Sequence, residues 1–346
     1  MMKKAWKVSP RPLMETVLNN HAQHHRVPQL LILHGPRGVG KTTLLHRLLD
    51  GWNKGPHVTG YVDLAHSVEG RPGVDGPYPW CSWSSSALPR PTLSDCKRQL
   101  ESCLESLAQE GIRQGAITSG QIFSTLTKWY RLDTALRRII DQQGGPGGSK
   151  AGNVVKSRAS ALGLWDRAVF SLSVRSNAKE IDEVLGIGDG GERKLSLEEA
   201  SYFREAVVAL RLAKEVLEMQ LRWRANAIAD LNKKNGFSRP LANACTNWPC
   251  LLIELLSQSA EINHFQPKLV INNIEILKNA VLTDDTLVPG PLYHDSLIGR
   301  IIALGVNERC LPVVLATSDS YYSYRAFIDF GFPDIFISRE FFGWTP

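Results

Sequence analysis

The sequence predicts an α/β protein in which a parallel sheet with flanking helices is interrupted by a large helical insertion. Two observations carry this prediction. Short continuous apolar runs at 29–34, 268–272 and 311–317 are typical of strands that a parallel sheet buries on both faces. Segments of helical periodicity separate these runs, as expected where helices connect parallel strands.

Residues 1–92 are predicted to form the first half of the sheet domain. The predicted elements, in order, are a helix over 13–25, a strand over 29–34, a helix that ends near Gly51 and a strand over 58–64. The stretch 70–92 is rich in Pro, Gly and Ser, and this composition predicts a loop.

Residues 93–240 are predicted to form the helical insertion. Helices are expected over 93–110, 119–142 and 195–235, with a glycine-rich linker at 144–149. The longest pattern places apolar residues at helical spacing, at Phe203, Val207, Leu210, Leu217 and Leu221. Such a stripe fits either a coiled-coil arm that binds a partner or a long helix packed on its own domain.

Residues 241–346 are predicted to complete the sheet domain. The alternation of helix and strand returns here, with apolar runs that again favour buried strands. The predicted elements are helices over 248–259, 293–308 and 321–329, and strands over 268–272, 311–317 and 334–337.

The composition excludes several classes of protein. Of the 346 residues, 43% are hydrophobic and 21% are charged, and no apolar run approaches the roughly 20 residues of a membrane span. None of the six cysteines forms a CxxC pair, which argues against a zinc site and predicts an intracellular protein without a disulfide framework. The basic segment before Glu15 leaves cytoplasm, mitochondrion and plastid undistinguished.

The positive charge permits binding to nucleic acid but does not indicate it. The net charge is +6, which is mild for a chain of this size. Basic and aromatic residues alternate at Arg222, Trp223, Arg224, Lys233, Lys234, Phe237 and Arg239. They fit either a nucleic-acid patch or a basic helix face in water.

One motif carries chemistry. The segment 35–42 reads GPRGVGKT and fits G-x-x-x-x-G-K-[ST], a match whose chance frequency in such a chain is on the order of 10⁻². The residues expected to contact a nucleotide are Gly35, Pro36, Arg37, Gly38, Val39, Gly40, Lys41, Thr42 and Thr43. An apolar strand precedes the loop and a helix follows it, which is the context that the motif requires.

Each part of this motif has a physical role toward phosphate. The glycines allow the backbone N–H groups to surround the phosphates, and the helix N-terminus adds partial positive charge. Lys41 places a mobile ammonium on the β- and γ-phosphates, while the Thr42 hydroxyl is a hard oxygen ligand for Mg²⁺. The sequence therefore predicts a site for ATP with Mg²⁺.

The strand at 268–272 extends the comparison to a family. Together with the motif, this part of the chain resembles the AAA+ superfamily and its relatives, the origin-recognition and STAND-type ATPases, including the archaeal ATPase group. Members carry four apolar residues followed by Asp-Glu or Asp-Asp, whereas this chain has Asn272 and Asn273. The resemblance implies a P-loop NTPase core over about 13–66 and 245–340, and it leaves 93–240 unexplained.

By position, the resemblance implies a metal role for Asn272 and a catalytic role for Asn273. Asn272 accepts a hydrogen bond from a metal-bound water without contributing charge, and Asn273 cannot act as a general base. Glu275 and Asp63 are the acids expected to substitute for them. Ser318 follows a strand similar to the sensor-1 strand of the family and either reads the γ-phosphate or caps the next helix.

These features support three hypotheses. The first is an ATP-binding switch or scaffold with slow or absent hydrolysis, whose helical insertion binds a protein partner. The second is a non-catalytic interaction module with a structural nucleotide. The third is a small-molecule kinase that would use arginines of the insertion, namely Arg113, Arg131, Arg137 and Arg138.

Two further expectations concern assembly and the helical lid. Arg325 would face a neighbouring subunit's nucleotide in an oligomer, although a solvated arginine is the simpler interpretation. The chain reaches Pro346 without the helical lid that follows the core in AAA+ proteins. We therefore expect either a shortened form or a protein that works without lid-driven hydrolysis.

Overall fold

The computed structural model describes residues 11–23, 30–65, 91–127, 132–141, 158–186, 196–233, 248–260, 264–280, 290–308, 311–330 and 336–341. These residues form an α/β protein with parallel strands, as predicted. The strands are β1 (Leu30–His34), β2 (His57–Asp63), β3 (Gln266–Asn272), β4 (Val313–Thr317) and β5 (Phe336–Glu340). The helices are α1 (Pro12–Gln23), α2 (Lys41–Trp52), α3 (Leu93–Arg113), α4 (Ser119–Thr127), α5 (Leu132–Asp141), α6 (Arg158–Arg175), α7 (Ala178–Leu185), α8 (Leu197–Lys233), α9 (Trp248–Ser259), α10 (Ile276–Asn279), α11 (Gly290–Glu308) and α12 (Tyr322–Phe330).

The strands form one sheet in the order β2-β3-β4-β1-β5. Every neighbouring pair is parallel, and β1 lies inside the sheet between β4 and β5. Because all strands run in one direction, their carboxyl ends meet at a single edge. That edge is where open α/β sheets bind their ligands.

Burial of the strands follows their sequence character. All five residues of β4 and the first four of β1 are buried, as is β3 after its first residue, which confirms the interpretation of the apolar runs. The last strand begins two residues later than predicted and extends to Glu340. Among the described residues it pairs only with β1. It ends in Ser338, Arg339 and Glu340, so no continuous apolar run marks this edge strand.

The chain divides into two compact units. The sheet unit comprises Met1–Leu107 and Ala260–Pro346, and the helical unit comprises Ala108–Ser259. These units meet at 107/108 and 259/260, whereas the sequence predicts boundaries at 92/93 and 240/241. The difference arises because the units are defined by packing, whereas the predicted boundaries follow changes in sequence composition. The first part of α3 belongs with the sheet, since a Cβ on Gly60 of β2 would lie 2.6 Å from Leu107 Cδ1.

The helical unit is organised by α8. Its predicted apolar stripe is buried at Phe203, Val207, Leu210 and Leu217, and becomes partly exposed at Leu221. The helix packs on α4, α5, α6 and α7 of the same unit, which confirms the packed-helix interpretation for this part of the stripe. Within the part of the chain that the structure describes, no helix is long and apolar enough to cross a membrane.

Helices α4 and α8 each begin with a reciprocal pair of hydrogen bonds. At α4, Thr118 Oγ1 accepts from the Gln121 N–H at 3.1 Å while Gln121 Oε1 accepts from the Thr118 N–H at 2.8 Å. Ser196 and Glu199 make the same exchange before α8. This capping box satisfies two backbone donors that the helix leaves unpaired, and it is a signal that the sequence carries.

Of the predicted helix over 119–142, the structure describes α4 and α5, and residues 128–131 lie outside the described residues. The predicted linker at 144–149 also lies outside them. Helices α6 and α7 were not predicted. Of these, α7 has caps that the sequence shows, because Asn177 Oδ1 accepts from the Lys179 N–H and Gly186 ends the helix at a φ of 66°.

Candidate functional site

The loop between β1 and α2 adopts a conformation that depends on its glycines. Gly35, Gly38 and Gly40 have φ values of 152°, 82° and 94°. Residues that carry a Cβ rarely adopt such positive φ values. Gly40 is the N-cap of α2 and makes no side-chain capping bond. The N–H groups of the first turn of α2 are therefore not satisfied by a capping side chain, which is a favourable arrangement for binding an anion.

Two distant residues hold this loop against the end of β5. The Arg11 guanidinium donates to the Val39 carbonyl at 3.1 Å and lies 4.0 Å from the centre of the Phe341 ring. A Cβ on Gly35 would lie 2.4 Å from the Phe341 carbonyl oxygen, so only glycine allows this close approach. Sequence analysis missed Arg11 and Phe341, because no local signal connects them to the loop.

Lys41 is enclosed by the loop that precedes it. Its side chain is buried, and Nζ donates to the Gly35 carbonyl at 2.6 Å and to the Pro36 carbonyl at 2.9 Å. Burial lowers the pKa of the ammonium, Arg37 lowers it further, and the Glu275 carboxylate opposes both. The cation thus lies within its own loop, where carbonyl oxygens compensate its lost hydration.

Thr42 connects the loop to the ends of β3 and β2. Asn272 Nδ2 lies 3.0 Å from Thr42 Oγ1, 3.0 Å from Asp63 Oδ2 and 3.2 Å from the Tyr61 hydroxyl. Asn272 is 1% exposed, so the surrounding atoms hold its amide in place. The structure therefore presents the donor end of this amide, rather than its oxygen, to Thr42.

Asp63 is the carboxylate at the centre of this group. Its Oδ1 accepts from Asn273 Nδ2 at 2.7 Å and from the Ala65 N–H at 3.0 Å. Burial and the nearby Asp63 charge raise the pKa of Tyr61, so that the phenol stays protonated beside it. Asn273 has a φ of 58°, the only positive φ outside glycine among the described residues, and asparagine tolerates this region better than most residues.

Glu275 is a second acidic residue, and its charge acts on Lys41. Its Oε1 accepts from the Ser318 N–H at 3.1 Å, whereas its Oε2 is buried without a hydrogen-bond partner among the residues described. The side chain is 9% exposed. A buried carboxylate oxygen without a donor costs free energy, and its charge acts on the Lys41 ammonium.

The segment that follows β4 contacts the site through a backbone N–H rather than through a side chain. Thr317 Oγ1 accepts from the Asp319 N–H at 3.0 Å, and Asp319 Oδ1 accepts from the Tyr321 N–H at 2.9 Å. Asp319 therefore caps the start of α12, while the Ser318 N–H holds Glu275. The predicted sensor residue thus reaches the site through its main chain.

The structure brings most of the predicted site residues together. Lys41, Thr42, Asn272, Asn273, Glu275 and Ser318 are linked through these contacts to the loop or to one another. Pro36, Arg37, Gly38 and Thr43 are exposed at the surface of the loop. Asp63, which the sequence analysis named as an alternative acid, lies between both asparagines.

Residues of the basic patch of the insertion make two intramolecular contacts where the structure describes it. The Arg138 guanidinium lies 4.4 Å from the centre of the Trp223 ring, and Arg222 lies 4.0 Å from a Glu218 carboxylate oxygen. Lys234, Phe237 and Arg239 lie outside the described residues, as do the side chains of Arg224 and Lys233.

Among the described residues, no three His, Cys, Asp or Glu side chains are grouped so as to hold a metal ion. Magnesium bound with a nucleotide usually takes phosphate and water oxygens and only one or two protein ligands.

No protein-family model, curated protein or solved structure matches this chain.

Proposed function

We propose that this protein binds ATP with Mg²⁺ at the loop 35–43 and acts as a nucleotide-dependent switch or scaffold with slow hydrolysis. One observation carries the proposal. The loop between β1 and the N-terminus of α2 has three glycines with positive φ, and the Lys41 ammonium donates to its Gly35 and Pro36 carbonyls. A glycine-rich backbone, a helix N-terminus and a cation thus occur together, as binding of phosphates requires.

The charges around the loop favour a nucleotide that carries a divalent cation. Asp63 and Glu275 place carboxylates near Thr42 and Lys41, and these negative charges would repel a bare triphosphate. The Thr42 hydroxyl is a suitable oxygen ligand for Mg²⁺. When bound, the cation would neutralise charge on the phosphate oxygens.

The order of the strands supports the resemblance to AAA+ and STAND-type ATPases and the proposed P-loop core. The strand with the two asparagines would count against it if it lay far from the loop. Instead β3 is separated from β1 only by β4, and Asn272 reaches Thr42. In this proposal the helical unit is the part that engages a protein partner.

Binding of ATP is the first test. We expect saturable binding of ATP with Mg²⁺ by isothermal titration calorimetry, and a roughly 10-fold to 100-fold weaker affinity for Lys41→Ala, since a charge-assisted contact is lost. Lys54→Ala is the matched control, because Lys54 is an exposed lysine of the same unit, and it should bind as the unmodified protein does. Absence of saturable binding of both ATP and GTP would refute the proposal.

Turnover distinguishes a switch from a module with a structural nucleotide. We expect phosphate release slower than about one per second, a low value for an enzyme, because β3 ends in amides. Glu275 is the candidate base, so Glu275→Gln should remove turnover and keep ATP affinity. Tight ATP binding without any phosphate release from the unmodified protein would instead favour the structural module.

A further inference from the structure

We propose that Asp63 supplies, from β2, the carboxylate that supports the water shell of the nucleotide-bound cation, and that Asn272 and Asn273 position it. The acid that the family resemblance leads us to expect at the end of β3 thus lies at the end of β2, and β3 has an amide at the paired position. This inference rests on the proposed function, because it concerns the cation that accompanies the nucleotide.

A shared hydrogen-bond donor links Asp63 to the hydroxyl that is the proposed metal ligand. Asn272 Nδ2 lies 3.0 Å from Thr42 Oγ1 and also 3.0 Å from Asp63 Oδ2. An ionised carboxylate only accepts hydrogen bonds, so the nitrogen of the amide must face it. A single amide nitrogen therefore links the carboxylate to Thr42. In this proposal the carboxylate contacts a water of the cation rather than the cation itself.

The carboxylate is held at both of its oxygens. Oδ1 accepts from Asn273 Nδ2 at 2.7 Å and from the Ala65 N–H at 3.0 Å. Oδ2 accepts from Asn272 Nδ2, with the Tyr61 hydroxyl at 3.5 Å. The contact from the Tyr61 hydroxyl is longer than an ordinary O–H···O hydrogen bond, so Oδ2 keeps capacity for a closer donor.

The register of the strands explains why β3 carries amides. Asp63 is paired directly with Asn272 across the parallel strands, and two acids in that relation would repel one another. Amides at 272 and 273 instead donate to the carboxylate. Asn273 does so from a left-handed backbone, with a φ of 58°, a conformation that stores strain and is concentrated at functional sites.

The test measures how strongly Mg²⁺ enhances ATP affinity, which is the ratio of the dissociation constants in EDTA and in Mg²⁺. Asp63→Asn should lower this enhancement by about 10-fold to 100-fold, as loss of outer-shell metal partners does. Its ATP affinity in EDTA should be equal or higher, because one negative charge near the triphosphate is removed. Asp50→Asn is the matched control, since Asp50 is an exposed acid at the far end of α2.

A second variant moves the carboxylate back to β3. Asp63→Asn combined with Asn272→Asp keeps one acid and one amide in the same cross-strand pair and should restore most of the Mg²⁺ enhancement. Thermal melting of each variant checks that the fold is retained.

Two results would overturn the inference while leaving the proposed function intact. In the first, Asp63→Asn keeps the Mg²⁺ enhancement of the unmodified protein. In the second, Asp63→Asn weakens ATP binding equally in Mg²⁺ and in EDTA, as expected of a residue that only supports the turn after β2. If the unmodified protein binds no ATP under either condition, the proposed function itself fails.

Discussion

Replacing Gly35 with alanine is expected to lower the free energy of unfolding by roughly 3 to 5 kcal/mol, from backbone strain and from overpacking together. The new Cβ would lie 2.4 Å from the Phe341 carbonyl oxygen. That oxygen belongs to the backbone, and the Phe341 N–H donates to His34 at 2.7 Å, so the end of β5 cannot move away without losing this bond. Urea denaturation of the purified variant measures the change.

Gly38→Ala is the matched control for this substitution. Gly38 also has a positive φ, of 82°, but a Cβ there would meet no atom within 4 Å. We expect only the cost of the left-handed backbone, roughly 1 to 2 kcal/mol. Equal losses of stability in the two variants would contradict the proposed contact between the loop and β5.

Replacing Lys268 with methionine is expected to stabilise the protein by roughly 1 to 3 kcal/mol at pH 7, because a buried cation is removed. Lys268 is 2% exposed, and its Nζ has no hydrogen-bond partner among the described residues. Methionine has a similar length and fills the same space without charge. Chemical denaturation of both proteins at pH 7 measures the difference.

The pH dependence of the free energy of unfolding tests whether the charge of Lys268 causes this change in stability. Burial lowers the pKa of Lys268 from 10.5 to about 8, so between these values the unfolded chain binds more protons than the folded one. The stability contributed by this residue therefore rises with pH through that window, and Lys268→Met should lose this rise. Lys54→Met, at an exposed lysine, should keep it and change stability by about 0.5 kcal/mol or less.

A destabilised Lys268→Met protein that keeps the rise between pH 8 and pH 10.5 would contradict this account. It would mean that the ammonium has favourable contacts in the folded state. The measurement is independent of nucleotide binding, so its outcome bears on the sheet alone.

Local sequence patterns were enough to predict the main elements of the sheet domain. The apolar runs of β1, β3 and β4 mark strands that are buried on both faces, and this burial leaves a continuous signal in the chain. The glycines of the loop 35–40 were also recognisable, because a backbone with positive φ restricts the residue type at each position. The edge strand β5, which ends in Ser338, Arg339 and Glu340, carries no such signal and was placed two residues too early.

The partners of the loop could not be predicted in the same way. Arg11 reaches Val39 across 28 positions of the chain, and Phe341 contacts Gly35 from the opposite end of the chain. Neither contact follows from a local propensity. Both depend on β5 being placed beside β1, which is a property of the sheet order.

By itself, the sequence determined that this is an α/β chain with a glycine-rich loop between a buried strand and a helix, and that β3 ends in amides. Only the tertiary structure decided which acid accompanies those amides. Asp63 and Asn272 are 209 positions apart, and pairing of β2 with β3 makes them neighbours. The physical reason is that each position of the sequence fixes the chemistry of one side chain. The charge balance of a site depends instead on which strand ends lie together at one edge of the sheet.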